Sequence, residues 1–175
     1  MSCLTQDETM RELAYDRANA VQRFMRRFAA SGPGSWLFAR VLHHIDRPVF
    51  RVTGGRHTFA SLVSGLEVVM ITTTGSRSGL RRTVPVLGLD TADGLAVIAS
   101  NYGQERHPSW YYNLRADPTG EVVIDGVSRR FRAVEAHAEQ RDRIWQQGLR
   151  VYPGWSQYER RASQRRIVIF VLEPV

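Results

Sequence analysis

Three segments bring charge-bearing or proton-bearing side chains close together in the sequence. The first is Ile71-Thr-Thr-Thr-Gly-Ser-Arg-Ser-Gly-Leu-Arg-Arg82, a β-prone run that ends in a glycine-flanked turn with Arg77, Arg81 and Arg82 around it. Successive backbone N–H groups in such a turn can form an anion nest, and the Ser76 and Ser78 hydroxyls add donors. It is not a P-loop, because no Gly-Lys-Ser/Thr follows. A solvated hairpin turn is the plain alternative. The second is Ser100-Asn-Tyr-Gly103 with His107-Pro-Ser-Trp-Tyr-Tyr-Asn-Leu114, a polar strand end before a helix start rich in aromatics. Helix N-termini favour anions, and Trp110 could wall a flat ring; Trp110 and Leu114 could equally be the core face of that helix. The third is Tyr152-Pro-Gly-Trp-Ser-Gln-Tyr158, whose aromatics at three-residue spacing share one side of a short helix. Its phenols can donate a hydrogen bond or a proton, whereas Trp155 offers only an indole N–H. The alternative is a segment that packs on the barrel.

Other chemistries find little support. His43, His44, His57, His107 and His137 are scattered without ligand spacing, so no metal site is expected. No Gly-x-Ser-x-Gly elbow or Cys–His pair suggests a covalent nucleophile. An enzyme here would rely on a cofactor for the difficult step. The 24 basic residues are all arginine, and the net charge is +7, which calls for anionic company: a phosphorylated cofactor, acidic lipid or nucleic acid. Nucleic acid is disfavoured, because aromatics do not interleave with the arginines and no base-reading motif is present.

The elements that must position these groups follow from periodicity. Apolar residues from Asp7 to Phe28 recur at three- and four-residue steps and predict a helix; Trp36 to Ile45 predicts another. The arginine-rich face of the first helix suits an anionic membrane surface, although most such helices cover their own core. From Glu67 the texture becomes β. Strands are expected at Val68–Thr74, Arg81–Leu89, Leu95–Ser100, Gly120–Ile124, Val127–Ala136 and Arg166–Leu172, with helices at His107–Ala116, Glu139–Arg150 and a short one within Tyr152–Arg161. The expected class is α+β: a small, mostly antiparallel barrel (67–175) decorated by helices, preceded by a helical extension (1–66). No leader-like or membrane-spanning run stands out and the sole cysteine is Cys3, so the compartment reads as cytoplasmic.

Together, "ITTTGSRSGLRRTVP", "VIASNYGQERHPSWYYNLRADP" and "YPGWSQY", in this order and spacing, resemble the deazaflavin (F420)-dependent nitroreductase family, actinobacterial split β-barrel oxidoreductases. The resemblance covers about Glu67 to the C-terminus. It implies coenzyme F420 as cofactor rather than FMN. It also implies that Ser76, Arg77, Ser78, Gly79 and Arg82 hold the coenzyme's phosphate and acidic tail, with Asn101 beside it. Pro85 and Val86 would line the ring, Ala99 and Ser100 would sit near it, and Trp110 would stand on the tail side. Tyr152, Trp155 and Tyr158 would face the substrate, with Ser100, Tyr152 or Tyr158 donating to the acceptor oxygen. Asn101 replaces a basic residue common in the family, Val84 an asparagine and Trp155 a tyrosine, and the last change removes a phenol that nitro-compound reduction would use. The implied activity is hydride transfer from reduced deazaflavin to a quinone, enone or nitroaromatic, by a monomer or homodimer. A carrier or sensor that binds deazaflavin, FMN or lipid without turnover is the alternative.

Overall fold

The computed structural model describes Ser31 and residues 67–175 other than Asp125. The expected helices at Asp7–Phe28 and Trp36–Ile45, and with them the 1–66 extension and the membrane-facing reading, lie outside the described residues. Among the described residues no helix is long and apolar enough to cross a membrane.

Six strands close into one antiparallel barrel: β1 (Val68–Thr74), β2 (Arg81–Thr91), β3 (Gly94–Ile98), β4 (Thr119–Ile124), β5 (Val127–Glu135) and β6 (Ile169–Pro174). Around the ring the order is β1-β2-β3-β6-β5-β4. The helices are α1 (Ser109–Ala116), α2 (Ala138–Val151) and α3 (Gly154–Arg161), and Asn101–Gly103 forms a single 3-10 turn. This is the split-barrel architecture that the sequence led us to expect. The last strand differs from expectation: its pairing starts at Ile169, opposite Ile98, and runs on to Pro174. The apolar run beginning at Ile167 does not by itself reveal where the ladder begins.

The strands alternate between two cores, because successive side chains point to opposite faces of a sheet. Val69, Ile71, Val97, Val122, Phe131, Phe170 and Leu172 fill the barrel. Ala96, Ile98, Ile169 and Val171 point outward into a second core, closed by Ile144 and Trp145 of α2 and Trp155 and Tyr158 of α3. α2 and α3 therefore have an apolar stripe to bury, and the outer face of β3 and β6 is what they bury it against.

Candidate active site at one end of the barrel

Strand direction decides which loops meet. β1 and β3 are both antiparallel to β2, so they point the same way. Their C-terminal ends share one barrel end with the starts of β2, β4 and β6 and the end of β5. The Gly75–Leu80 turn and the Ala99–His107 loop therefore lie at the same end of the barrel. β3 and β4 stand opposite each other in the ring, so the segment joining them must cross this end. α1 does the crossing: its eight residues span about 12 Å, and its Trp110 and Leu114 drop into the barrel core.

Asn113 joins the two motifs. It is 6% exposed, its Nδ2 donates to Thr73 Oγ1 at 2.9 Å, and its Oδ1 accepts the Ser76 N–H at 3.0 Å. A buried amide with both ends paired is stable in place; either end unpaired would be costly. The motif reading of the sequence passed over this residue. The signal available was its position three residues after Trp110, a polar side chain on an apolar helix face.

The turn differs from the expected anion nest. Gly75 N donates to Leu80 O, Ser78 N and Gly79 N both donate to Gly75 O, and Leu80 N donates to Ser78 Oγ. Together with the bond from Ser76 N, most of the turn's backbone donors are already used inside the protein. Anion binding would then fall to side chains. Arg81 is committed to Glu121 at 2.8 Å. Arg77 and Arg82 are exposed, and no ion pair joins either to another described residue. Ser76, Ser78 and Gly79 are exposed beside them.

The other expected ring and tail contacts separate by face. Val86 belongs to the barrel core, opposite Val69. Pro85 pairs with Met70 and points to the outer side, so the two side chains do not line one surface. Ala99 is fully buried, and its N–H donates to Val168 O at 2.8 Å. Trp110 packs edge-on to Phe170 in the core, with ring centroids 6.2 Å apart. Ser100 and Asn101 remain half-exposed at the barrel end, and Asn101 Nδ2 donates to Arg106 O at 2.8 Å.

The aromatic trio differs most from expectation. Tyr152, Trp155 and Tyr158 do share one side, but they are only 4%, 2% and 3% exposed, in the outer core beneath α2 and α3. The Tyr152 and Tyr158 hydroxyls bond to each other at 3.0 Å. Burial, the neighbouring phenol and that bond push Tyr158 far above the usual phenol range, so it is held protonated. In this arrangement neither phenol is open to an acceptor. Their neighbour is the 3-10 turn instead: Tyr102 meets Tyr158 edge-on at 6.1 Å.

That turn is strained. Asn101 (φ 47°) and Tyr102 (φ 56°) both take the left-handed conformation ahead of Gly103 (φ 76°). Such a geometry costs about 1–2 kcal/mol for an ordinary residue and persists where surroundings over-determine it. The surroundings are two arginines that follow Tyr158. Arg161 Nη2 donates to Tyr102 O at 3.2 Å. Arg165 reaches the carbonyls on either side of the turn. Neither arginine was legible as a site residue among 24 in the chain.

The model of the F420H(2)-dependent quinone reductase family matches residues 44–174. The chain is 30% identical over 120 residues to the F420H(2)-dependent quinone reductase Rv1261c of Mycobacterium tuberculosis, covering 63% of this chain and 77% of that protein. A solved F420-H2 dependent reductase (FDR-A) aligns with a TM-score of 0.55 and 34% identity over 61% of this chain and 93% of its own. A second solved structure, described as a domain-swapped dimer, aligns with a TM-score of 0.57 and 29% identity over 81% of this chain and 100% of its own. The match to the family model spans well over half of the sequence and all six strands: the chain belongs to the F420H(2)-dependent quinone reductase family, whose cofactor is coenzyme F420.

Proposed function

We propose that this chain reduces a quinone at the barrel end formed by the Gly75–Arg82 and Ala99–His107 segments. When bound there, the reduced deazaflavin supplies a hydride. The donor set fits an anionic coenzyme: Arg77 and Arg82 are exposed beside the Ser76 and Ser78 hydroxyls, and a guanidinium fork matches phosphate and carboxylate oxygens. What carries this reading is the position of those two arginines at the same end of the barrel as half-exposed Ser100. Ser100, at that same end, is a side chain that could donate to the acceptor oxygen as negative charge develops. The proton that completes the hydroquinone would come from solvent through this open end. Tyr152, Trp155 and Tyr158 act as buried support behind the 3-10 turn rather than as proton donors. A homodimer is part of this proposal, by analogy with the domain-swapped relative.

The experiment is a fluorescence titration of the purified chain with F420 and separately with FMN, followed by oxidation of reduced F420 against menadione, an enone and a nitroaromatic. Tight F420 binding with menadione turnover is expected. Failure to bind F420 at roughly 100 µM, within the usual range of enzyme–substrate affinities, would end this reading. Binding without turnover on any acceptor would make the chain a carrier or sensor. Turnover of the enone or nitroaromatic but not menadione would move the acceptor class.

A further inference from the structure

Arg165 lies in the stretch between α3 and β6, outside the three motifs. One guanidinium meets four acceptors along the Ala99–His107 loop. Nη1 donates to Ala99 O at 3.1 Å, Nη2 to Ser100 O at 2.7 Å and Nε to Gln104 O at 2.9 Å. Nη1 also lies 3.3 Å from His107 Nδ1. Three of these acceptors bracket the left-handed Asn101–Gly103 turn, so the loop's course and the guanidinium fork fix each other. The fourth contact fixes a tautomer. A guanidinium only donates, so this contact is a hydrogen bond when His107 Nδ1 presents its lone pair and the ring proton sits on Nε2. The imidazole is held flat on Tyr111, with centroids 3.9 Å apart, and edge-on to Tyr112 at 6.1 Å. Glu135 is the carboxylate that acts on it, and that residue is itself paired to Arg115 at 2.9 Å.

We propose that Arg165 is the positioning residue of this site: it presets the backbone at Ser100 and holds His107 as the Nε2–H tautomer before any coenzyme or acceptor arrives. A lysine cannot replace it, because a single ammonium cannot span acceptors from residue 99 to residue 107. The catalytic part of this inference rests on the proposed reductase reading; the structural part does not.

The test uses Arg165→Ala and Arg165→Lys in the full chain, with two readouts. The first needs no coenzyme. Nitrogen-15 NMR of the His107 ring should show Nε2 protonated and Nδ1 accepting in the unchanged protein. Its titration midpoint should fall below the usual 6.5, from burial first and the Arg165 charge second. In Arg165→Ala the midpoint should rise and the tautomers mix. The second is steady-state turnover of reduced F420 with menadione, at a temperature where melting curves show the variant folded. Misplacing a reacting group by about 1 Å costs on the order of 10²-fold, so kcat should fall by about that factor. The loss should appear in kcat more than in coenzyme KM, with little rescue by lysine. An unchanged His107 spectrum, or turnover within about twofold of the parent, would overturn the proposal. If Arg165→Ala does not fold, the lysine variant decides by the same two measurements. If the parent itself oxidises no reduced F420, the reductase reading fails and the NMR arm alone decides whether Arg165 sets the loop.

Discussion

The side-chain amide of Asn113 donates to Thr73 Oγ1 across 2.9 Å and so fastens the helix that crosses the barrel end to the strand leading into the arginine turn. The same amide accepts from Ser76 N–H, the first residue past Gly75. Two motifs about 40 residues apart in sequence are thereby one structural unit. Replacing Asn113 with leucine should leave the Ser76 N–H and the Thr73 hydroxyl without their partner and cost about 1–3 kcal/mol. Urea denaturation measures it. A double-mutant cycle with Thr73→Val should show coupling of about 0.5 kcal/mol or more; additive effects would mean the amide is not what joins the two elements.

Arg77 and Arg82 should matter for binding and not for folding. Each is exposed and makes no ion pair with another described residue. Arg77→Ala and Arg82→Ala should each weaken F420 binding on the order of tenfold, the scale of one charged hydrogen bond. The loss should shrink at high salt, where exposed charges are screened, and the melting temperature should stay put. Fluorescence titration at two salt concentrations reads the first effect and thermal denaturation the second. If affinity survives the double change, the turn is only a turn.

Two glycines with positive φ should respond differently to alanine. Gly79 (φ +65°) has nothing within 4 Å of the added methyl, so Gly79→Ala should cost only the left-handed backbone penalty of about 1–2 kcal/mol. Gly103 (φ +76°) places that methyl 2.9 Å from both Cα and O of Tyr158. Backbone of α3 cannot give way cheaply, so Gly103→Ala should lose more than Gly79→Ala and should disturb the Ser100 loop as well. Equal losses in denaturant titrations would contradict the close approach.

Tyr158→Phe tests the buried-support assignment. Removing the hydroxyl should cost about 1 kcal/mol of stability and leave kcat nearly unchanged; a large fall in kcat with intact stability would return the phenol to the chemistry. The pH dependence has a defined sign. The phenol is held protonated in the fold while an unfolded tyrosine ionises near 10.0. Its contribution is therefore complete below pH 10 and is lost as pH rises beyond it, because the unfolded state alone can release the proton. The parent should show steeper alkaline destabilisation than Tyr158→Phe.

Local pattern revealed the strands well and tertiary placement poorly. Val68–Thr74 was legible to the residue, because an apolar β-branched run stops at Gly75. The three-residue spacing of Tyr152, Trp155 and Tyr158 correctly put them on one side, but spacing does not say what that side meets. Here it meets the outward face of β3 and β6. The family resemblance suggests one surface for Pro85 and Val86, although adjacent strand residues face apart. In the turn, glycine and serine content suggested free N–H groups; the fold uses most of them to close the turn itself. Asn113 left a faint trace as a polar residue in phase with Trp110. Arg165 left none, since its role depends on a return of the chain past α3 that no local pattern encodes.

The strand directions that gather the candidate site at one end place two hairpins at the opposite end. The β2–β3 and β4–β5 hairpins both turn there, and Ala92, at the tip of the first, is exposed. A dye, tether or electrode linker attached at Ala92 would sit a full strand's length from Ser100. The protein could then be anchored to a surface with its candidate site facing the solution.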